Sequence, residues 1–209
     1  MLTYRLTVGL AIIVALLFAL YLPLNIERHA VHDLSTGLDA YIPFVPFFVL
    51  PYVSYYAFLL LSALLLVIRR DVAQLNRYLL ATAMTLATSY LFYGYYQTHI
   101  MRPAVDGSGP LIGIVRLVYA ADNPYNAFPS LHTSLSTLAA LVLWHRVRPY
   151  WAFALWGILI VLSTVLVKQH YVLDILSGLA LAVLSLVIAR YAIPQCNATS
   201  APVRGRSTD

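Results

Sequence analysis

Long apolar segments alternate with short polar connections along the chain, and this pattern predicts an all-α membrane protein. A helix that crosses a lipid bilayer needs about 20 predominantly apolar residues. The segments that reach or approach this length are Tyr4–Leu22, Pro51–Ile68, Leu75–Tyr96, Leu131–Trp144, Tyr150–Val167 and Tyr171–Tyr191. We therefore expect residues 1–193 to form one polytopic bundle of six transmembrane helices.

Two segments depart from this pattern. Residues 39–52, DAYIPFVPFFVLPY, are apolar but contain three prolines, and proline disrupts a helix interior. This segment cannot be one regular helix, and we expect it to lie in the outer membrane interface and to guide lipid toward a site. Residues 194–209 are polar and rich in small residues, which predicts a disordered cytoplasmic tail.

Composition supports the membrane assignment, because 61% of the residues are hydrophobic and only 10% are charged. Soluble domains carry about 25% charged residues, so this chain lacks the polar surface that a soluble fold needs. The lipid bilayer is therefore an expected partner, whereas the oligomeric state is left open.

The basic residues indicate the orientation of the bundle. Nine of the 13 Lys and Arg residues fall on one side of the predicted helices, and four fall on the other. Because basic residues favour the cytoplasmic side, both termini are predicted to be cytoplasmic, at a plasma, inner or internal membrane. The formal net charge of +5 is thus a topology signal, and no nucleic-acid partner is expected.

Acidic residues and histidines show the opposite distribution. Six of the eight Asp and Glu residues, five of the six histidines and both long connections fall on the predicted outer side. Since functional residues concentrate on connections that a rigid scaffold holds, we expect the site at the extracytoplasmic helix ends.

The segment STVLVKQHYVLD places His170 and Asp174 four residues apart. Residues at this spacing share one helix face, so the carboxylate can orient the imidazole and leave its other nitrogen reactive. The alternative is an interfacial helix end at which Lys168 and His170 reach water. Asp174 favours a functional reading, because an ionised group that deep in a membrane is costly and usually functional.

The segment YNAFPSLHTS predicts a helix that begins near Ser130. Ser130 can cap this helix, and the N–H groups of its first turn can bind an anion close to His132. The alternative is a plain cap beside an interfacial histidine.

Arg102 lies on the predicted outer side, against the trend of the basic residues. Its guanidinium suits bidentate phosphate binding, and the alternative is a salt bridge to Asp106 or Asp122. Together with His132 and His170, it indicates a phosphoryl-transfer site. A metal site is the rival, but the neighbouring cations would repel a metal ion, so neither a metal nor another cofactor is expected.

The tyrosine-rich segments 52–56 and 92–96 favour an aromatic belt at the membrane surface over a wall of the site.

Ordered along the chain, these residues resemble the type 2 phosphatidic acid phosphatase superfamily of membrane lipid phosphatases. That family carries the motifs K-x6-R-P, P-S-x-H and S-R-x5-H-x3-D. This chain has PSLH at residues 129–132, keeps Ser163, His170 and Asp174 at the family spacing, and has Arg102 before a proline. The resemblance covers about residues 75–190.

The resemblance implies a role for each of these residues. His170 would attack phosphorus and form a phosphohistidine, with Asp174 orienting it. His132 would protonate the leaving oxygen and later activate water. Arg102 and Ser130 would bind phosphate oxygens. The implied activity is hydrolysis of a lipid phosphate or diphosphate.

Two departures from the family motifs concern phosphate binding. Tyr95 occupies the position of the first motif's lysine, and Thr164 that of the third motif's arginine. Lys168 lies four residues after Thr164, so on a continuing helix it could replace that arginine as a phosphate-binding cation. His99 and Tyr95 are weaker candidates.

Two alternatives to hydrolysis stay open, and the departures concern the first of them. The variant is similar to the inositol phosphorylceramide synthase branch, whose members transfer a phospho-head group to a lipid alcohol. A phosphotransferase is therefore one alternative. The other is a non-enzymatic six-helix transporter or binding protein.

Overall fold

The computed structural model describes residues 2–28 and 30–194, and these fold into helices and their connections. The α-helices of this part are α1 (Leu2–Ala19), α2 (Tyr21–Leu24), α3 (Gly37–Tyr41), α4 (Val49–Val53), α5 (Tyr55–Ile68), α6 (Val72–Tyr95), α7 (Pro110–Ala121), α8 (Leu131–Leu143), α9 (Tyr150–Leu166) and α10 (Val172–Ala192). A 3-10 helix spans Pro46–Phe48. The predicted all-α fold is therefore confirmed for the described residues.

Each of the six predicted apolar helices is present, as α1, α5, α6, α8, α9 and α10. Two helical segments, Pro46–Ile68 and Val172–Ala192, are long and apolar enough to cross a membrane, and four further apolar helices are shorter. Helix α7 is additional, because it occupies a connection for which the sequence pattern predicted no helix. The predicted tail lies almost wholly in residues 195–209, outside the described residues.

The proline-rich connection is not one regular helix, as its sequence predicts. It is divided into α3, the 3-10 helix and α4, and it packs against α9 and contacts the start of α10. The Val45 N–H donates to the Leu166 carbonyl oxygen at 2.9 Å. Asp39 accepts a hydrogen bond from the Val172 N–H at 2.8 Å through its Oδ1. This segment therefore braces the connection between α9 and α10.

Helix α6 lies at the centre of the bundle and packs against α1, α5, α8 and α10. Leu86, Leu135 and Ile160 are among the fully buried side chains of the core. Large apolar side chains also cover the outer helix faces, such as Leu60, which is 72% exposed. Inner and outer faces are thus both apolar, which is typical of helices surrounded by lipid.

Basic side chains gather at one end of the bundle. Arg69, Arg70 and Arg146 line one surface cavity there, and Arg146 pairs with Asp71, the N-cap of α6. Helix α8 ends at this basic end and begins at the opposite one. The starts of α8 and α10 therefore lie together at the end of the bundle remote from these arginines.

Gly178 permits the close approach of α10 to the start of α8. A Cβ atom at residue 178 would lie 2.8 Å from the Ser130 carbonyl oxygen and 3.0 Å from the Thr133 Cβ. Both distances are shorter than normal van der Waals contacts. Only glycine therefore fits here without displacing the first turn of α8.

Replacing Gly178 with alanine should lower the free energy of unfolding by about 1–3 kcal/mol, because overpacking forces the neighbouring backbone to shift. Thermal unfolding of the purified protein in detergent micelles measures this loss. The matched control is Gly113→Ala, where no heavy atom lies within 4 Å of the added Cβ. Alanine should be neutral or slightly stabilising there. Equal effects of the two substitutions would contradict the close approach.

Candidate active site

His170 and Asp174 meet at the start of α10. The His170 Nδ1 lies 3.4 Å from the Asp174 Oδ2, and both side chains are buried. The same carboxylate oxygen accepts the Tyr171 N–H at 2.9 Å as part of a capping box. The predicted contact is present, but His170 precedes the helix, so the helix cap creates the contact rather than a shared helical face.

His132 lies in the first turn of α8 and faces His170, with 5.7 Å between the ring centroids. Tyr52 and Tyr55 pack on its ring at centroid distances of 4.6 and 4.4 Å. Both histidines line one cavity of about 570 Å³. The two sequence-predicted histidines are therefore brought together, and aromatic rings hold the first of them in place.

Ser130 is the N-cap of α8, as predicted. Its hydroxyl oxygen accepts the Thr133 N–H at 3.2 Å, and its own N–H donates to the Asp174 carbonyl oxygen at 3.1 Å. The Tyr93 hydroxyl donates to the Pro129 carbonyl oxygen at 2.8 Å. These bonds fix the start of α8 against both α6 and α10.

Arg102 lies beside the cavity rather than in its lining. Its Nη1 donates to the carbonyl oxygens of Tyr119 at 3.1 Å and Asp122 at 2.7 Å, and its Nη2 donates to the Gln169 side chain. Burial lowers the pKa of Arg102, and the nearby Asp122 charge opposes that shift. The predicted alternative of a salt bridge is wrong in detail, because Arg102 bonds the Asp122 backbone and not its carboxylate.

Lys168 is directed away from the cavity. Helix α9 ends at Leu166, and Lys168 adopts a left-handed backbone conformation with φ of 54°. The expectation that a continuing helix aligns it with Thr164 is therefore wrong. Its ammonium group donates to the carbonyl oxygens of Asp39 and Ile42, so Lys168 ties the proline-rich connection to the loop before His170.

The weaker candidates also lie outside the cavity lining. Thr164 is fully buried, and its carbonyl oxygen accepts the N–H groups of Gln169 and His170. Tyr95 is 89% exposed. His99 packs its ring near that of Tyr125. Of these three, only Thr164 contacts a site residue, and it does so through its backbone.

Asp122 is a cavity residue that the sequence analysis treated only as a possible partner of Arg102. It follows α7, and its Oδ1 accepts hydrogen bonds from the Tyr21 hydroxyl at 2.9 Å and the Asn25 side chain at 2.6 Å. Burial raises the pKa of Asp122, and the Tyr21 hydrogen bond and the Arg102 charge oppose the shift. Its charge faces the cavity that the two histidines share.

Two tyrosines that contact His132 belong to a tyrosine-rich segment that we expected to form an aromatic belt at the membrane surface. Tyr52 and Tyr55 are only 5% and 3% exposed, so the interpretation as a membrane-surface belt is wrong for these two. The neighbouring Tyr56 is 66% exposed, yet it also borders the cavity. The sequence shows that tyrosines cluster here, but their spacing does not indicate which helix face is buried.

Comparison with protein-family models gives one match. A model described as the PAP2 superfamily matches residues 17–188, which include His132, His170 and Asp174. Comparisons with curated proteins and with solved structures find no match.

Replacing Arg102 with lysine should lower the free energy of unfolding by about 1–3 kcal/mol, since lysine cannot span the acceptors that the planar guanidinium joins. Thermal unfolding in detergent provides the measurement. Arg116→Lys is the matched control, because Arg116 is an exposed arginine that also donates to backbone carbonyl oxygens. A loss at position 116 as large as that at position 102 would contradict a specific bracing role.

Proposed function

Because the chain belongs to the PAP2 superfamily, we propose that it is a membrane enzyme that hydrolyses a lipid phosphate or diphosphate through a phosphohistidine. Membership of this family suggests phosphatase-type activity. The observation that carries the proposal is the pair of imidazoles, His132 and His170, which face one cavity while Asp174 contacts the second ring.

In the first step His170 is the nucleophile. An Nδ1–H directed at Asp174 leaves the Nε2 lone pair free for attack. As the new P–N bond forms, the P–O bond to the lipid breaks and its electron pair stays on the lipid oxygen. His132, protonated once the anionic substrate is bound, gives this oxygen a proton. A lipid alcohol leaves from a monophosphate, and a lipid monophosphate leaves from a diphosphate.

In the second step water resolves the phosphohistidine. His132, now neutral, takes a proton from the water molecule whose oxygen attacks phosphorus. The P–N bond breaks, and its electron pair returns to His170. Inorganic phosphate leaves, and both histidines regain their starting states. The net reaction adds water across one P–O bond.

Backbone groups at the start of α8 would hold the phosphate oxygens. The N–H groups of Leu131 and His132 belong to the first turn, where no acceptor exists within the helix, and such groups bind anions. Arg102 lies beside the cavity, and its buried Nε, which has no hydrogen-bond partner among the described residues, would supply one more donor only after the side chain moves. We do not assign Lys168 to the phosphate, since its ammonium is held by backbone carbonyl oxygens.

We further propose that α1, α5, α6, α8, α9 and α10 cross the membrane, with both termini in the cytoplasm. The clustered arginines at one end of the bundle support this orientation, because basic residues favour the cytoplasmic side. The histidine pair lies at the opposite end of α8. It would therefore act on lipid in the outer or lumenal leaflet.

Transfer of a phospho-head group to a lipid alcohol is the second candidate. It is favoured by the cavity of about 570 Å³, which has room for an acceptor beside the phosphate and is lined largely by apolar and aromatic side chains. Incubation with lipid phosphate radiolabelled at phosphorus separates the two activities. Free phosphate without any new phospholipid would exclude obligate transfer.

His170→Ala should abolish product formation and the labelled protein adduct, because no other group replaces the attacking nitrogen. Asp174→Asn should lower kcat by about 10²- to 10⁴-fold, since the amide no longer stabilises the charged imidazole. Release of labelled phosphate gives the rates. Denaturing gels run under alkaline conditions detect the acid-labile phosphohistidine.

The control is His32→Ala, which removes an exposed histidine whose ring stacks on Tyr96 and does not line the cavity. It should retain wild-type turnover. If His170→Ala released phosphate at the wild-type rate, the phosphohistidine mechanism would be wrong. If the wild-type protein itself released no phosphate, a non-enzymatic binding protein would become the better explanation.

A further inference from the structure

The cavity that contains the histidine pair has an unusual lining for a site that receives phosphate. Its tyrosines are Tyr21, Tyr52, Tyr55, Tyr56, Tyr90 and Tyr93. Phe18 adds a seventh aromatic ring, and Asp122 adds a carboxylate. Among the described residues, no lysine or arginine lines this cavity. The tyrosine hydroxyls ionise only in alkaline solution. Apart from the two imidazoles, Asp122 is therefore the only described residue of the lining that ordinarily ionises below neutral pH.

The two nearest cations are held outside this cavity by the protein itself. The Nη atoms of Arg102 donate to two backbone carbonyl oxygens and to Gln169. The Lys168 ammonium donates to the carbonyl oxygens of Asp39 and Ile42. Neither side chain can neutralise a ligand deep among the tyrosines without losing these bonds. The cavity thus carries negative charge beside the place where phosphate would react.

Asp122 has one carboxylate oxygen available to a ligand. The Tyr21 hydroxyl and the Asn25 side chain both donate to Oδ1. No described residue donates a hydrogen bond to Oδ2, although Asp122 lines the cavity. A carboxylate oxygen without a donor in a largely apolar space is costly. A cation that enters the cavity would remove this cost.

Aromatic rings around a carboxylate are suited to a positively charged organic group. The faces of tyrosine rings attract ammonium and quaternary ammonium groups, and desolvation strengthens that attraction. We propose that the cavity binds an ammonium or trimethylammonium group that the substrate carries within a few bonds of its phosphorus, with Asp122 as the counter-ion. This inference rests on the proposed function and names the substrate class of the same site.

Two kinds of lipid present this chemistry. A long-chain amine monophosphate carries its ammonium on the lipid side of the phosphate. A phosphocholine or phosphoethanolamine lipid carries it on the head-group side; attack of His170 on this phosphodiester would release the lipid alcohol, and water would then release the phospho-head group. Phosphatidic acid and phosphatidylglycerol contain phosphate without a cation and are the reference compounds. Asp122 determines specificity in this scheme and takes no part in bond breaking.

The test compares kcat/KM for these lipids in mixed detergent micelles. The wild-type protein should prefer at least one cationic lipid over its reference by about tenfold or more, the size expected of a desolvated cation–π contact beside a counter-ion. Asp122→Asn keeps an oxygen acceptor for Tyr21 and Asn25 but removes the charge. It should lower kcat/KM for the cationic lipid about tenfold more than kcat/KM for phosphatidic acid, mainly through KM.

Asp106→Asn is the matched control, since Asp106 is an exposed carboxylate of the same outer connection and does not line the cavity. It should leave the preference unchanged. A second measurement needs no variant. Tetramethylammonium chloride should inhibit the wild-type protein competitively, whereas sodium chloride at equal concentration should not.

The outcomes separate the inference from the proposed function. Turnover of phosphatidic acid in preference to every cationic lipid, or an equal loss on all lipids in Asp122→Asn, would overturn the inference alone. Absence of inhibition by tetramethylammonium would also count against it. If no lipid phosphoester is cleaved, the proposed function fails. Binding of a short-chain phosphocholine lipid, measured by tyrosine fluorescence, then tests the inference by itself. Binding equal to that of short-chain phosphatidic acid would overturn it.

Discussion

The hydrogen bond from the Ser130 N–H to the Asp174 carbonyl oxygen is the constraint on which the site depends. It joins the start of α8, whose first turn carries His132, to the start of α10, which His170 precedes. Gly178 lets these helix ends approach closely enough for the bond to form. This approach brings His132 toward His170, so the packing of one glycine and the geometry of two imidazoles are coupled.

Helix positions and local caps could be predicted from the sequence, because they depend on residues close together in the chain. The six apolar segments, the Ser130 cap and the contact between His170 and Asp174 are of this kind. The prediction for Lys168 was wrong because α9 ends two residues earlier, and a left-handed residue turns the side chain toward Asp39. No local pattern near residue 168 indicates this end.

The cavity could not be predicted, because it is assembled from distant parts of the chain. The bond between Tyr21 and Asp122 joins residues 101 positions apart. The sequence shows a tyrosine cluster, but a lipid-facing tyrosine and a cavity tyrosine have the same spacing. Only the packing of α4 and α5 against α8 places Tyr52 and Tyr55 on the His132 ring. Long-range contacts therefore place in the wall of the site two tyrosines that we expected at the membrane surface.

The convergence of α8 and α10 also has an electrostatic consequence. Each helix has a macrodipole equivalent to about half a positive charge at its N-terminus. Two such ends meet at the histidine pair, whereas Tyr95 and Thr164, which occupy the positions of cations in the family motifs, lie outside the cavity lining. The paired helix dipoles provide about the field of one missing side-chain cation. Because this charge belongs to the backbone, it needs no flexible side chain and is unaffected by pH.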